Sequence, residues 1–285
     1  MKKRSKLPKL SNGLSHQVRK RFGQNFLHDE EVIAKILDTI SPSKQEHILE
    51  IGPGLGALTK GLANSGAKLH CVELDTDLAE SLKTEYAEYD KVKITQADAL
   101  EFDLNSIATE RQPLRIVGNL PYNISTPLIF HLLKNSRLIK DMTFMLQLEV
   151  IQRMVSKVGS RNYGRLGLMV QYYCEAEHLF NIASDAFTPR PKVVSALVRL
   201  KPHSVPSLKA KNPECLKAVI QTAFNQRRKT VRNSLRSMVP ESLLEQILVD
   251  KKLRPENLTL HDYVKISDAI SVSYTHLTLP TNREV

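Results

Sequence analysis

Cysteine is scarce in this chain of 285 residues. Cys71, Cys174 and Cys215 are its three, far apart and without a CxxC pair. That excludes a disulfide framework and a cysteine-rich zinc site, and it fits a reducing cytoplasm. The nine histidines include no HxxxH or similar ligand spacing, so no metal is expected. No apolar run approaches the roughly 18 residues needed to span a bilayer, so no membrane role is expected. The N-terminus is basic but lacks the apolar stretch of a secretory signal.

Acidic residues are missing where basic ones gather. Lysine and arginine total 41 against 30 acids, a formal charge of +11. Residues 1–28 hold eight of the basic side chains and no acid. Residues 201–238 hold nine, with a single acid, Glu214. The rest of the chain is net acidic. Clustered positive charge is the electrostatic footprint of a polyanion such as nucleic acid, although it also serves plain solubility. Hydrophobic residues at 41% and charged residues at 25% are ordinary for a globular protein. The length suits one large domain, or a large one with a small companion.

Residues 1–23 read as a basic, flexible arm. A helix is expected from Glu30 to Thr39, and strands and helices then alternate. The strands are His47–Ile51, Lys68–Leu74, Val92–Ala97, Leu114–Val117 and Met142–Leu148. The helices between them are Leu58–Asn64, Thr76–Ala87 with Asp75 or Thr76 as its cap, and one capped by Ser125 and running to Leu133. Such alternation implies an α/β fold, a parallel sheet with helices on both faces. Ligands of such sheets bind beyond the carboxyl ends of the strands. Gly52, Glu73, Asp98 and Asn119 all fall at such ends, which puts them around one crevice. Two later strands, Ala176–Ile182 and Val193–Leu200, flank a Phe-Thr-Pro loop and extend the sheet. From Pro213 the signals are helical throughout. The expected division is therefore an arm over 1–23, a catalytic domain over 24–204, a helical domain over 205–272, and a non-native or disordered tail over 273–285.

The segment Glu50-Ile-Gly-Pro-Gly-Leu-Gly56 follows a strand and precedes a helix. Its glycines let the backbone approach a ligand. Glu73 ends the next strand, where a carboxylate can accept from both ribose hydroxyls. Asp98, a third strand-end acid, suits the exocyclic amine of an adenine. Dinucleotide and S-adenosylmethionine sites share this logic, and GxGxG in place of GxGxxG separates them only in part.

Asn119-Leu-Pro-Tyr122 ends the fourth strand. The chemistry it suits is methylation of an aromatic amine. Adenine's 6-amino lone pair is delocalised into the ring, and two acceptors aimed at its hydrogens free it. The Asn119 side-chain oxygen and the Leu120 carbonyl can supply them, with Pro121 fixing where that carbonyl points. Tyr122 offers a flat face for an extruded base. Positioning and electrostatics would carry the rate, without a strong general base.

These segments together resemble the ribosomal RNA adenine dimethyltransferase family of the KsgA/RsmA type, from about Arg19 to Ala269. The segments that carry the likeness are Arg21–Leu27, Glu50–Thr59, Val72–Asp75, Asp98–Leu100, Asn119–Pro127, Ala186–Lys192 and Ala223–Thr230. The resemblance implies a Rossmann-like, S-adenosylmethionine-dependent methyltransferase sheet with a small C-terminal all-helical domain. It implies that two adjacent adenines near the 3′ end of 16S rRNA, in an immature small ribosomal subunit, each receive two methyl groups. It implies donor contacts from Asn25, Leu27, Gly52, Glu73, Asp98 and Asn119, with Asn119 also orienting the target amine. Phe187 is a candidate second stacking face opposite Tyr122, or else a core aromatic at a strand turn. Leu148 departs from the family, where a lysine is expected. Arg227, Arg228, Lys229 and Arg232 are expected on successive helical turns as RNA contacts. They cannot all share one face, so some are expected to touch the main domain. Nothing in the sequence calls for a dimer, and a monomer is expected. The alternatives are a 23S rRNA dimethyltransferase of the macrolide-resistance type, a nicotinamide dehydrogenase, and a non-catalytic assembly factor for the small subunit.

Overall fold

The computed structural model describes residues 24–121, 124–204, 208–247, 250 and 252–274. The arm over 1–23, Tyr122 and the tail from residue 275 lie outside them. Among the described residues the chain divides into two compact units. One holds the stretch up to Ile151 together with Glu175–Pro202; the other holds Gln152–Cys174 and the chain from His203 onward. The break falls at Pro202 instead of residue 204, and residues 152–174 group with the helical unit, not with the sheet.

The sheet unit opens with β1 (Phe26–Leu27) and α1 (Glu30–Ile40), then alternates as expected. There follow β2 (His47–Ile51), α2 (Thr59–Asn64), β3 (Lys68–Glu73), α3 (Thr76–Glu85), β4 (Val92–Gln96), β5 (Leu114–Asn119), α4 (Ser125–Lys134) and β6 (Ile139–Gln147). After α5 (Leu148–Met154) and α6 (Arg165–Tyr173) come β7 (Cys174–Ile182), β8 (Phe187–Thr188) and β9 (Ser195–Pro202). The main sheet has seven strands in the order β4-β3-β2-β5-β6-β9-β7. The five from β4 to β6 are parallel, and β9 runs antiparallel to β6. The order reverses between β2 and β5, so the carboxyl ends of those two strands flank the topological switch point where such sheets bind ligands.

Local chemistry explains the element ends. Asp29 caps α1 by accepting from the Glu31 and Val32 amides at 3.0 and 3.1 Å. Asp75 caps α3 through the Asp77 amide at 3.1 Å. Ser125 is not the N-cap: it is the first helical residue of α4, and Ile124 stands at the N-cap. The Pro121 carbonyl accepts from both the Ile124 and Ser125 amides at 3.1 Å and starts the turn instead. β2 and β5 are apolar runs whose Ile48, Leu49, Ile116 and Val117 are all buried. Burial of such side chains is worth about 1.5–3 kcal/mol each.

The helical unit contains α6 with α7 (Pro213–Asn225), α8 (Val231–Leu235), α9 (Glu241–Ile247) and α10 (Leu260–Tyr274). Ser273 and Tyr274, expected in the tail, are the last residues of α10. The unit is organised around buried aromatics whose hydroxyls are satisfied by backbone. Tyr163 donates to the Leu258 carbonyl and Tyr263 to the Pro255 carbonyl, each at 2.8 Å. Phe224 lies edge-on to the Tyr163 ring, their centroids 6.3 Å apart. Gly167 is required in α6, because a Cβ there would collide with the Arg153 carbonyl. The helices α5 and α6 have no counterpart among the elements expected from sequence.

Candidate functional site

A cavity of about 270 Å³ opens at the carboxyl ends of β2, β3 and β5 in the sheet unit. Asn25, Leu27, Gly52, Glu73, Asp98, Asn119 and Leu120 all line it, so the strand-end residues singled out in the sequence do share one crevice.

The glycine turn is built for close approach. Gly52 and Gly54 have φ of +65° and +62°, which disfavours any side chain. A Cβ on Gly54 would also sit 3.2 Å from the Phe26 ring. The backbone continues in turns before α2 starts at Thr59, seven residues beyond Gly52, and the cavity is lined from Gly52 through this turn to Leu58 at the helix N-cap. Glu73 is 7% exposed and held by two backbone amides, Gly54 N to Oε2 at 3.0 Å and Asp75 N to Oε1 at 2.9 Å. Burial raises its pKa above the ordinary carboxylate value, against the lowering by these amides. Asp98 is anchored the same way, Oδ1 accepting from the Leu100 amide at 2.9 Å.

Glu50 is a functional candidate that sequence reasoning missed. It lines the cavity, is 2% exposed, and accepts from Thr59 Oγ1 at 2.7 Å. Burial pushes its carboxyl up to about 7. The signal is there as an acid two residues before Gly52, but acid in an apolar strand reads equally as a half-exposed position.

Among the described residues the lining carries three carboxylates, Glu50, Glu73 and Asp98, and no lysine, arginine or histidine. The remainder is largely apolar, with Leu74 beside Glu73 and Met145 beside Asn119. Such a pocket repels a pyrophosphate and suits a nucleoside that carries positive charge. Asn119 ends β5 and donates from Nδ2 to the Asn25 carbonyl at 2.8 Å. Leu120 is buried, its amide bonded to the Met145 carbonyl at 3.3 Å, and its own carbonyl accepts from none of the described residues. Two acceptors are thus available on neighbouring residues.

Phe187 departs from its expected role as a stacking face. It is 1% exposed, does not line the cavity, and packs in the core with Leu27, Ile36 and Met145. Its backbone is the useful part: it pairs with Leu27 across the β1–β8 ladder. The basic cluster also differs from expectation. Arg227, Arg228 and Lys229 stand in the turn between α7 and α8, closed by Lys229 N to the Gln226 carbonyl at 2.8 Å, and not on successive helical turns. Arg227 is paired with Glu256 and reaches the Ser160 carbonyl, both within its own unit and not in the sheet. Arg232 pairs with Glu241 at 2.8 Å. Arg228 and Lys229 are exposed. Among the described residues no group of His, Cys, Asp or Glu could hold a metal ion, and no helix is long and apolar enough to cross a membrane.

The fold and crevice define a class: a Rossmann-like α/β domain with a nucleoside-sized, acid-lined site at its switch point. The family follows from comparison with known proteins. Residues 15–271 match the model of the family described as ribosomal RNA adenine dimethylase, and the chain belongs to it. It is similar to the ribosomal RNA small subunit methyltransferase A of Marinobacter nauticus, 52% identical over 262 residues that cover 92% of this chain and 95% of that one. The protein of the same name from Hahella chejuensis is 49% identical over 91% of this chain and 95% of its own. Among solved structures, the 23S rRNA methyltransferase ErmE is 25% identical with a TM-score of 0.67, over 87% of this chain and 100% of that one. A dimethyladenosine transferase from Plasmodium falciparum shares the fold, with a TM-score of 0.74 over 88% of this chain and 98% of that one.

Proposed function

We propose that this protein transfers methyl groups from S-adenosylmethionine to the 6-amino groups of two adjacent adenines near the 3′ end of 16S rRNA, dimethylating each, during small-subunit biogenesis. The observation that carries the reading is the cavity: among the described residues, three carboxylates and no cation line a nucleoside-sized space, together with Asn119. The donor is a nucleoside bearing a sulfonium and an ammonium, so an anionic lining complements it. A nicotinamide dinucleotide brings a pyrophosphate that this lining disfavours.

In this reading Glu73 accepts from the ribose hydroxyls and Asp98 from the adenine amine of the donor. Gly52, with Asn25 and Leu27, lies against its methionine part. The donor's methyl is electrophilic because it sits on a sulfonium. The Asn119 oxygen and the Leu120 carbonyl accept the two hydrogens of the target amine and favour a pyramidal nitrogen with its lone pair toward that methyl. The nitrogen becomes cationic on transfer and then sheds its proton, so no strong base is required. The base is flipped out of its helix to reach the site. Arg228 and Lys229 bind phosphates, and the protein works as a cytoplasmic monomer.

The test is incubation of under-methylated small subunits with labelled donor, followed by mass mapping of the RNA. The expected product is a pair of neighbouring dimethyladenosines in 16S rRNA. Label confined to 23S rRNA would favour the macrolide-resistance type of activity, for which the likeness to ErmE is the supporting observation.

A further inference from the structure

An asparagine at the end of a strand can present either its oxygen or its NH2 to a crevice. Only the oxygen accepts from an amine; the NH2 would face it donor to donor. Here the choice is fixed by a residue 94 positions away. Asn119 Nδ2 donates to the backbone carbonyl oxygen of Asn25 at 2.8 Å. A carbonyl accepts and never donates, so the nitrogen must be the atom that faces it. The Asn119 oxygen accepts from none of the described residues and is left for the crevice.

That carbonyl is held in turn. Gln24 Nε2 donates to Asp75 Oδ2 at 3.0 Å on one side of it. On the other, β1 pairs with β8 in the register Phe26 to Thr188 and Leu27 to Phe187, and the His28 amide donates to the Ala186 carbonyl at 3.0 Å. Phe26 between them packs its ring over Gly54. Residues 24–27 therefore form a strap that lines the cavity and touches its glycine turn, its acid-bearing loop and its amide.

We propose that the Asn25 backbone carbonyl is a positioning group for methyl transfer: it locks the Asn119 amide with its oxygen toward the target amine, and so ties that amide to the strap that walls the donor cavity. The proposal rests on reading the crevice as a methyl-transfer site. It has a specific consequence. Aspartate keeps an acceptor oxygen but loses the donor, so the carboxylate introduced by Asn119→Asp meets the Asn25 carbonyl oxygen to oxygen. It must turn away, or take up a proton and donate as an acid.

The experiment compares wild type and Asn119→Asp for S-adenosylmethionine binding by calorimetry and for kcat on under-methylated small subunits between about pH 6 and about pH 8. Donor affinity is measured at each pH, so that kcat is compared with the donor site saturated in both proteins. Its kcat is expected to fall about 100-fold near pH 8, the usual cost of a lost positioned hydrogen bond at a reacting centre, and to recover toward low pH relative to wild type. Glu50 and Glu73 share the cavity in both proteins, so the difference between the two profiles isolates position 119. A variant as active as wild type at high pH, or a loss equal at every pH, overturns the lock. If the variant fails to bind donor, asparagine-selective ¹⁵N spectra of the wild-type protein decide: a protected Asn119 side-chain proton supports the lock and a freely exchanging pair overturns it. Wild-type protein that neither binds donor nor methylates RNA fails at an earlier step, and removes the proposal together with the function it rests on.

Discussion

The two ends of the central sheet treat charge in opposite ways, and β5 shows the first of them. Near its start, Arg115 is almost buried and fully engaged. It bonds Asp141 through Nε at 3.1 Å, Glu46 at 2.9 Å and the Ser41 carbonyl at 3.4 Å. Ser41 ends α1 in a left-handed conformation, φ +48°, where glycine is usual. Arg115, with Arg199 donating to the Thr39 carbonyl at 2.6 Å, satisfies carbonyls at that helix end. Burial pushes Glu46 up, but Lys140 and Arg115 outweigh it and hold its carboxyl below the ordinary value. At the far end of the sheet, Glu50 on β2, Glu73 on β3 and Asp98 after β4 have no cation among the described residues that line the cavity, and burial raises the first two carboxyls above the ordinary value. Charges that meet their partners inside the protein hold the fold. Charges that do not are left to be met by something that binds.

The comparison makes two stability predictions of opposite sign. Arg115→Met strands Asp141, whose side chain is 14% exposed, and leaves Glu46, 15% exposed, with Lys140. The expected loss is about 3–5 kcal/mol, read as a drop in thermal midpoint, with donor affinity in the surviving folded protein unchanged. Glu50→Gln should do the reverse. In the unfolded chain Glu50 ionises near its ordinary 4.5, and in the folded protein near 7. Between those values the folded protein holds the extra proton, so rising pH destabilises it there, and the penalty stays constant above about 7. Removing the charge should therefore raise stability near pH 8 by at most about 3 kcal/mol and flatten the pH dependence between about 4.5 and 7. Denaturant melts across that window check it. A variant less stable than wild type at high pH would mean that Glu50 is as well served as Arg115, and the contrast would collapse.

Much of this contrast could be read in the sequence, because the strand-end signals are local. Apolar runs that stop at Gly52, Glu73, Asp98 and Asn119 point to the parallel strands and to one crevice at their ends; the strand order, and with it the switch point, is seen only in the structure. What escaped was set by contacts between distant residues. Phe187 reads equally as a stacking ring or a core ring until its burial beside Leu27 and Ile36 is known. The helices α5 and α6 lie in a stretch broken by Gly159 and Gly164, where no long period develops. The Asn119–Asn25 bond spans 94 residues and uses a backbone atom, which no side-chain pattern encodes. Arg227 and Arg228 are identical neighbours in sequence, and only the position of Glu256 tells them apart.

At the binding end, Glu73→Ala tests whether an unpartnered charge is indeed reserved for the ligand. It removes a carboxylate that two amides hold in place over the cavity. S-adenosylmethionine affinity should fall roughly tenfold to a hundredfold, the worth of hydrogen bonds to a charged group. The thermal midpoint should move little, because the desolvation cost of the buried carboxylate leaves with it. Calorimetry and melting on the same sample give both numbers. A large loss of stability with donor affinity intact would place Glu73 with Arg115 among the structural charges.

The same rule carries the smallest expected effect into the helical unit. Arg227 spends its charge on Glu256 and the Ser160 carbonyl, whereas Arg228 and Lys229 are exposed beside it. Neutralising Arg228 and Lys229 together should weaken binding to small subunits and reduce the slope of log affinity against log salt by about 0.7–0.9 for each phosphate that is no longer neutralised. Stability should be unchanged, since an exposed cation with no ion pair among the described residues contributes little to it. Arg227→Ala should do the opposite, lowering stability by about 1 kcal/mol and leaving the salt slope alone. Filter binding over a salt series, set beside thermal melts, separates the two. Equal slopes for the two variants would mean that the turn between α7 and α8 does not touch RNA, and that the basic charge of this segment serves solubility instead.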